Sequence, residues 1–374
     1  MMKVPLSRPW FDDEEPRAVA EVVRSGWLIS GPVVAEFERR FGLRLGGVEA
    51  VAVNSGSSAL LVALAALGVG PGDEVLVPDM TFVSTATAAM FLGARPVFVD
   101  INLDNYCLDP KDAARKITPR AKVIIPVHYA GHAADMDEIM ELARRHGLRV
   151  LEDAAESHLA RYRGGAYTGT IGDIGIFSFT PSKPMTTGEG GMIVTRDPDL
   201  VARCRLLREF GDTGKFRWDM LGFNFRMPEV MGAIGLAQLE KLDRAVALRR
   251  AVAARYTEAL KDEEAVVLPT LRTPEDGNFQ LYTIRLRLER LVGDRDALIE
   301  ALGRRGVSAR LYYPSLHRQR VFARDGHRTD DSTLPNAVEF GRTALSLPIF
   351  PTLSAEEQDY VIGVLRDALR ACGR

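Results

Sequence analysis

Cysteine is scarce in this chain: three in 374 residues, Cys107, Cys204 and Cys372, far apart and odd in number. That argues against a disulfide framework and for a reducing compartment. No charge of one sign is in excess. The 48 lysines and arginines stand against 50 acids, a formal net charge of −2, and the cations are scattered. Nothing therefore suggests a nucleic acid or an anionic membrane surface as partner. Long hydrophobic runs are also missing, since the apolar stretches are too short and too interrupted to span a bilayer. Met1–Pro5 passes straight into polar residues with no secretory leader pattern. Internal repeats and low-complexity segments are absent too. The expected setting is cytoplasmic.

What is there is the ordinary composition of a globular protein, 46% hydrophobic and 26% charged. The length exceeds one usual core and predicts two domains. From about residue 48 to 195 the pattern alternates strand and helix. Strands are expected at Glu49–Val53, Glu74–Pro78, Pro96–Asp100, Lys122–Val127, Leu148–Leu151, Ile174–Phe179 and Met192–Thr195. Such alternation predicts an α/β fold with a mostly parallel central sheet covered by helices. Glu229–Leu260 has 3.6-residue spacing throughout and Pro228 at its start, so one long helix is expected. Beyond it a smaller α+β domain is predicted. It has strand-like Gln280–Leu288 and Ser308–Tyr313, a helix at Asp294–Arg305, a polar basic loop and an irregular Ala344–Pro351. The terminal helix Ser354–Leu369 opens on a capping box. The expected division is 1–245 for the large domain and 246–374 for the small one.

Three metal or nucleotide patterns fail on spacing. Gly68-Val-Gly-Pro-Gly72 precedes a strand instead of following one, and is not G-x-G-x-x-G. Asp100-x-Asn102-x-Asp104 begins like a calcium loop, but Asn105 and Lys111 stand where Gly and Glu are needed. His128 and His132 are four apart, yet a strand and Gly131 argue against the helix a zinc pair requires. A different pair of features survives. Asn54-Ser-Gly-Ser-Ser-Ala-Leu60 is a strand-to-helix turn whose free N–H groups suit a phosphate, with an ordinary serine N-cap as the bland alternative. Further on, one strand delivers Glu152 and Asp153, and the next delivers Ser178 and then Lys183 into a glycine-rich loop. In α/β sheets, groups beyond the carboxyl ends of strands face one crevice. A lysine and an aspartate there suit pyridoxal phosphate (PLP), which takes a lysine amine as its Schiff-base partner and an acid at its ring nitrogen. A strand-end salt bridge is the alternative for that pair.

Taken together these motifs resemble the DegT/DnrJ/StrS family of sugar aminotransferases, PLP enzymes of the aspartate-aminotransferase fold. The likeness runs through SGWLISGPVVAEFE, NSGSSALLVAL, DMTFVSTA, IPVHYAGHAADMD, LEDAAESH, SFTPSKPMTTGEGGM, GFNFRMPEVMGAIGLAQL and SLPIFPTLSAEEQDYVI. It implies Lys183 as the Schiff-base lysine, Asp153 at the pyridine nitrogen and Phe82 stacked on the ring. It places Gly56, Ser57, Ser58 and Ser178 at the phosphate. Asn224 is expected to reach the phosphate of a neighbouring subunit, which implies a homodimer with shared sites. Glu156 stands where the family often has Gln, near the cofactor's 3′ oxygen; Ser55-Gly-Ser-Ser-Ala-Leu60 and Asn278-Phe-Gln-Leu-Tyr282 are further departures. Trp27, Arg226, Tyr312, Tyr313 and His317 are candidate substrate contacts, each with ordinary surface or packing as the alternative. The implied reaction moves an amino group from an amino acid, with L-glutamate expected, onto a nucleotide-linked keto sugar, with a 4-keto-6-deoxy sugar expected. The alternatives are a PLP-dependent sugar dehydratase and a non-catalytic PLP-binding regulator. Some relatives that remove a hydroxyl have histidine in place of the lysine, so Lys183 argues against that branch. No metal is expected.

Overall fold

Residues 51–53, 74–78, 174–178 and 191–195 are fully buried runs rich in Val and Ile. Strands buried on both faces need no polar alternation, which is the signature of a sheet sandwiched between helices. The computed structural model describes residues 2–214, 216–273, 276–324 and 330–373. It contains β1 (Glu49–Val53), β2 (Glu74–Pro78), β3 (Arg95–Val99), β4 (Ala121–Ile124), β5 (Arg149–Asp153), β6 (Ile174–Ser178) and β7 (Gly191–Thr195). These form one sheet in the order β1-β7-β6-β5-β4-β2-β3. The pairs β2–β3, β2–β4, β4–β5 and β5–β6 are parallel, while β7 runs antiparallel to both neighbours. The α/β class read from the sequence is the one observed. Because β2, β5 and β6 are parallel, their carboxyl ends open on the same edge of the sheet.

A second sheet holds β8 (Val266–Val267), β9 (Tyr282–Leu286) and β10 (Ala344–Leu347), in the order β10-β9-β8. It has its own apolar core, built with Leu298, Leu302, Val361 and Leu365 from two helices. The helix Glu229–Leu260 is unbroken over its 32 residues. Its first part packs on the helices Glu14–Ser25 and Pro32–Arg44, and its last turns put Val252, Tyr256 and Leu260 into the second core. Position 245, the expected end of the large domain, lies inside this helix. Four residues further on, Arg249 is almost fully buried. Its guanidinium donates to the carbonyls of Phe279, Gln280 and Ile349 and to that of Ser182. Burial lowers its pKa to about 10. One side chain thus ties the loop before Lys183 to the second sheet.

Three expectations in this region need correction. Ser308–Tyr313 is not a strand; only Arg310 makes a bridge, to Ser346. Ala344–Leu347, within the stretch expected to be irregular, is β10, paired to β9 along its whole length and buried throughout. Which of two weak local patterns pairs is decided by the neighbour, not by propensity. The expected basic loop also contains a helix, Pro335–Thr343. Its first N–H groups, at Asn336 and Ala337, donate to the carboxylate of Asp100 at 3.1 and 2.8 Å. That cap comes from a distant part of the chain, so no local cap motif announces the helix.

Candidate active site

Lys183 follows β6 in a loop whose turns are fixed by backbone bonds. Lys183 N donates to Thr180 O at 3.0 Å, Thr187 N to Phe179 O at 3.0 Å, and the Thr186 hydroxyl to the same carbonyl at 2.8 Å. The lysine side chain is 9% exposed, and its Nζ lies 3.0 Å from Glu156 Oε1. The Tyr313 hydroxyl donates to that same oxygen at 2.8 Å, and the other oxygen of Glu156 takes Ala130 N–H at 2.8 Å. Three donors converge on the buried Glu156, which accepts at both of its oxygens. Tyr313 has its phenol pKa well above the ordinary value, from burial first and the Glu156 charge second.

Glu152 and Asp153 are neighbours at the end of β5 and therefore point to opposite faces. Glu152 is fully buried away from the lysine, accepting from the N–H groups of Gly169, Ile171 and Gly172 at 2.8, 2.6 and 2.6 Å. His128 Nε2 completes the set at 2.8 Å. Because His128 Nδ1 accepts from Ala134 N–H, the proton shared with Glu152 belongs to Nε2. Asp153 faces the cavity. Its Oδ2 takes the Thr85 hydroxyl at 2.8 Å and its Oδ1 takes Ala155 N–H at 3.2 Å. Burial raises its pKa, against the pull of Thr85, Ala155 and the Lys183 charge.

Both side chains line a cavity of about 230 Å³ with Gly56, Ser57, Phe82, Ser84, Thr85, Glu156, Ser178, Tyr312 and Tyr313 among its walls. Gly56 opens the helix Gly56–Ala66, whose N-cap is Ser55. A Cβ on Gly56 would lie 2.8 Å from Ser178 Cβ, so only glycine lets this helix end sit against β6. Ser57 Oγ and Ser84 Oγ are 2.7 Å apart. Phe82 is half exposed, and its ring meets the edge of Tyr313 at 5.7 Å between centroids.

The remaining candidates lie elsewhere. The Ser58 hydroxyl is turned back within the helix cap, 2.6 Å from Asn54 Oδ1 and 2.9 Å from Ser55 Oγ. Trp27 is exposed on the surface. Arg226 pairs with Glu209 at 3.1 Å, donates to Asn224 Oδ1 at 3.3 Å and covers the ring of Phe210. Neither Arg226 nor Asn224 lines this chain's cavity. His317 does not line this cavity: Asp79 takes its Nδ1 at 2.8 Å and Asp331 its Nε2 at 2.7 Å. The sequence reading also missed Thr81, Ser84 and Thr85. A signal was present, because hydroxyl side chains four residues apart at a buried helix entry need partners.

A model of the DegT/DnrJ/EryC1/StrS aminotransferase family matches residues 9–366. The GDP-perosamine synthase of Caulobacter vibrioides is 40% identical over 371 residues, 98% of each chain. The dTDP-3-amino-3,4,6-trideoxy-alpha-D-glucose transaminase of Streptomyces venezuelae is 39% identical, over 95% of this chain and 92% of the relative. Among solved structures, Spr1654 of Streptococcus pneumoniae in its PLP form superposes with a TM-score of 0.93 at 28% identity, covering 99% of both chains.

Proposed function

This chain belongs to the DegT/DnrJ/EryC1/StrS aminotransferase family, and on that premise we propose that it is a PLP-dependent transaminase acting on a nucleotide-linked keto sugar. The amine donor is an amino acid, with L-glutamate expected. The acceptor is the keto group of a deoxy sugar, with a 4-keto-6-deoxy sugar expected. The observation that carries this reading is the convergence of the Lys183 amine and the buried Asp153 carboxylate on one cavity. The names of the two sugar-directed relatives support the substrate class. The same names give no support to a dehydratase or to a non-catalytic regulator.

The residues present suit PLP. Asp153 is buried, and burial disfavours its charge unless a cation comes to meet it. A protonated ring nitrogen is such a cation. Elsewhere on the cavity wall, Gly56, Ser57 and Ser178 offer a helix N-terminus and hydroxyls to a phosphate. Phe82 provides a ring on the cavity wall beside Tyr313. The cofactor would supply an electron-withdrawing ring that stabilises the charge left when Cα loses its proton. Lys183 would hold the cofactor, and its Nζ would move a proton at the donor's Cα. Glu156 holds that amine within 3.0 Å, and Tyr313 fixes Glu156. Asp153 keeps the proton on the ring nitrogen.

We further propose a homodimer in which Asn224 of one subunit reaches the site of the other. The exposed Phe210, Phe216, Trp218 and Leu221 near Asn224 in sequence support an interface there. No helix among the described residues is long and apolar enough to cross a membrane; a cytoplasmic setting fits the proposed reaction. The test is a panel of nucleotide-linked 3-keto and 4-keto sugars incubated with protein, PLP and glutamate. Formation of an amino sugar together with 2-oxoglutarate is the expected result. A panel in which no sugar is aminated would remove the reading.

A further inference from the structure

The segment after β2 supplies more than Phe82 to the cavity. Thr81 and Thr85 sit one helical turn apart, at 2% and 0% exposure, with their hydroxyl oxygens 3.0 Å apart. Thr85 Oγ1 is in turn 2.8 Å from Asp153 Oδ2. An ionised carboxylate only accepts, so the Thr85 hydroxyl donates to Asp153. The Thr85 oxygen is then left as acceptor, and the Thr81 hydroxyl donates to it. The result is a directed chain, Thr81 to Thr85 to Asp153, with its charged end in the cavity. The chain starts two residues after Asp79, whose carboxylate is fixed by His317, so its far end is anchored.

From this geometry we infer that Thr85, backed by Thr81, is a positioning residue that keeps Asp153 ionised and aimed, so that the proton between them stays on the cofactor's ring nitrogen. The inference rests on the PLP reading given above. A hydrogen bond donated to a carboxylate lowers its proton affinity. Without it, Asp153 competes better for the ring proton, and the ring loses the positive charge that makes it electron-withdrawing. The other charged groups acting on Asp153 are Lys183, from the loop after β6, and Glu156, from the turn after β5. The helix Val83–Phe91 that bears Thr85 carries no charged residue. A change at Thr85 therefore leaves those charges in place.

The test uses the full chain loaded with PLP and three variants, Thr85→Val, Thr85→Ser and Thr81→Val. Valine matches the shape of threonine without the hydroxyl, and serine keeps the hydroxyl without the methyl group. The readouts are the pH midpoint of the bound cofactor's visible absorption band and the Kd for PLP. A positive charge on the ring depresses the proton affinity of the cofactor's link to Lys183. In Thr85→Val that charge is weakened, so the midpoint should rise by about one pH unit and the Kd by about tenfold. Thr85→Ser should restore the native midpoint, and Thr81→Val should move it the same way as Thr85→Val but by less. A Thr85→Val protein with the native midpoint overturns the inference, as does a Thr85→Ser protein that behaves like the valine variant. If Thr85→Val does not fold, an unmoved midpoint in Thr81→Val overturns it instead. A native chain that shows no visible band at all overturns the functional reading, and this inference with it.

Discussion

Lys183 and Glu156 form a buried ion pair of 3.0 Å, and no hydrogen bond or ion pair joins Lys183 to Asp153 among the described residues. The two carboxylates of the cavity therefore have separate partners: Glu156 takes the lysine amine, and Asp153 takes the Thr85 hydroxyl and Ala155 N–H. The lysine shares its acceptor oxygen on Glu156 with the Tyr313 hydroxyl.

The first prediction concerns the anchor. Protein loaded with PLP and treated with borohydride should carry the pyridoxyl group on Lys183, located by peptide mass mapping. Lys183→Ala should retain no turnover. Recovery of the label on another lysine would show that the amine beside Glu156 is not the reacting one.

A second prediction isolates the charge of Asp153. Asp153→Asn keeps the shape and an acceptor for Thr85 or Ala155, but cannot hold a ring proton. The glutamate half-reaction should slow by roughly 10²–10³-fold, the scale for losing one preorganised electrostatic partner. PLP should remain bound through the Ser57 end of the cavity. A variant with native rates would pass the role elsewhere, and Glu152 is a poor heir because four donors already hold it on the far face of β5.

Much of this site was legible in the sequence for a simple reason. Asp153 ends one apolar strand and Lys183 follows another, and the carboxyl ends of parallel strands in such sheets face one edge. The order itself was not legible: β1 lies beside β7 and antiparallel to it, a pairing that no local pattern encodes. The division of labour between Glu152 and Asp153 could be argued from strand alternation, but which face was the cavity could not. Thr85 was missed because its partner is 68 residues away. The same holds for the Pro335–Thr343 helix, whose cap is Asp100. The sequence also does not tell His317 from its neighbours Tyr312 and Tyr313, which line the cavity while the imidazole turns to Asp79.

A third prediction follows from the donors around Glu156. Glutamine can accept at only one end, whereas Lys183 and Tyr313 donate to one oxygen and Ala130 N–H to the other. Glu156→Gln should leave one buried donor unsatisfied and destabilise the fold by about 1–3 kcal/mol. Urea unfolding measures this. An unchanged midpoint would mean that the Ala130 turn rearranges to serve the amide.

The fourth prediction is a pH dependence at His317. Burial opposes the charge of its imidazolium, but Asp79 and then Asp331 outweigh that and raise its pKa above the ordinary 6.5. Arg318 shares Asp331 and holds that carboxylate well below its ordinary range, so the acid stays ionised throughout. A group whose folded pKa is raised contributes fully below its unfolded pKa and loses that contribution as pH climbs through the folded value. The stability gap between native protein and His317→Asn should therefore be widest below about pH 6.5 and narrow above it. Thermal unfolding of both proteins across that range measures the gap, and a constant gap would mean that His317 is neutral in the fold.

The last prediction tests whether one site needs two chains. Asn224 sits outside its own chain's cavity, five residues before the long helix, with its side-chain oxygen near Arg226. The turn that carries it also bears Phe223 and Phe225, stacked 4.6 Å apart. If Asn224 serves the partner's phosphate, Lys183→Ala and Asn224→Ala chains should complement each other when mixed. In the mixed dimer one site carries both lesions and the other carries neither, so activity should return to part of the native level. If Asn224 served its own subunit, each site of the mixed dimer would hold one lesion and activity would stay absent. The comparison needs each variant alone to be inactive and both to remain dimeric by sedimentation. A native protein that sediments as a monomer at working concentration would remove the shared site outright.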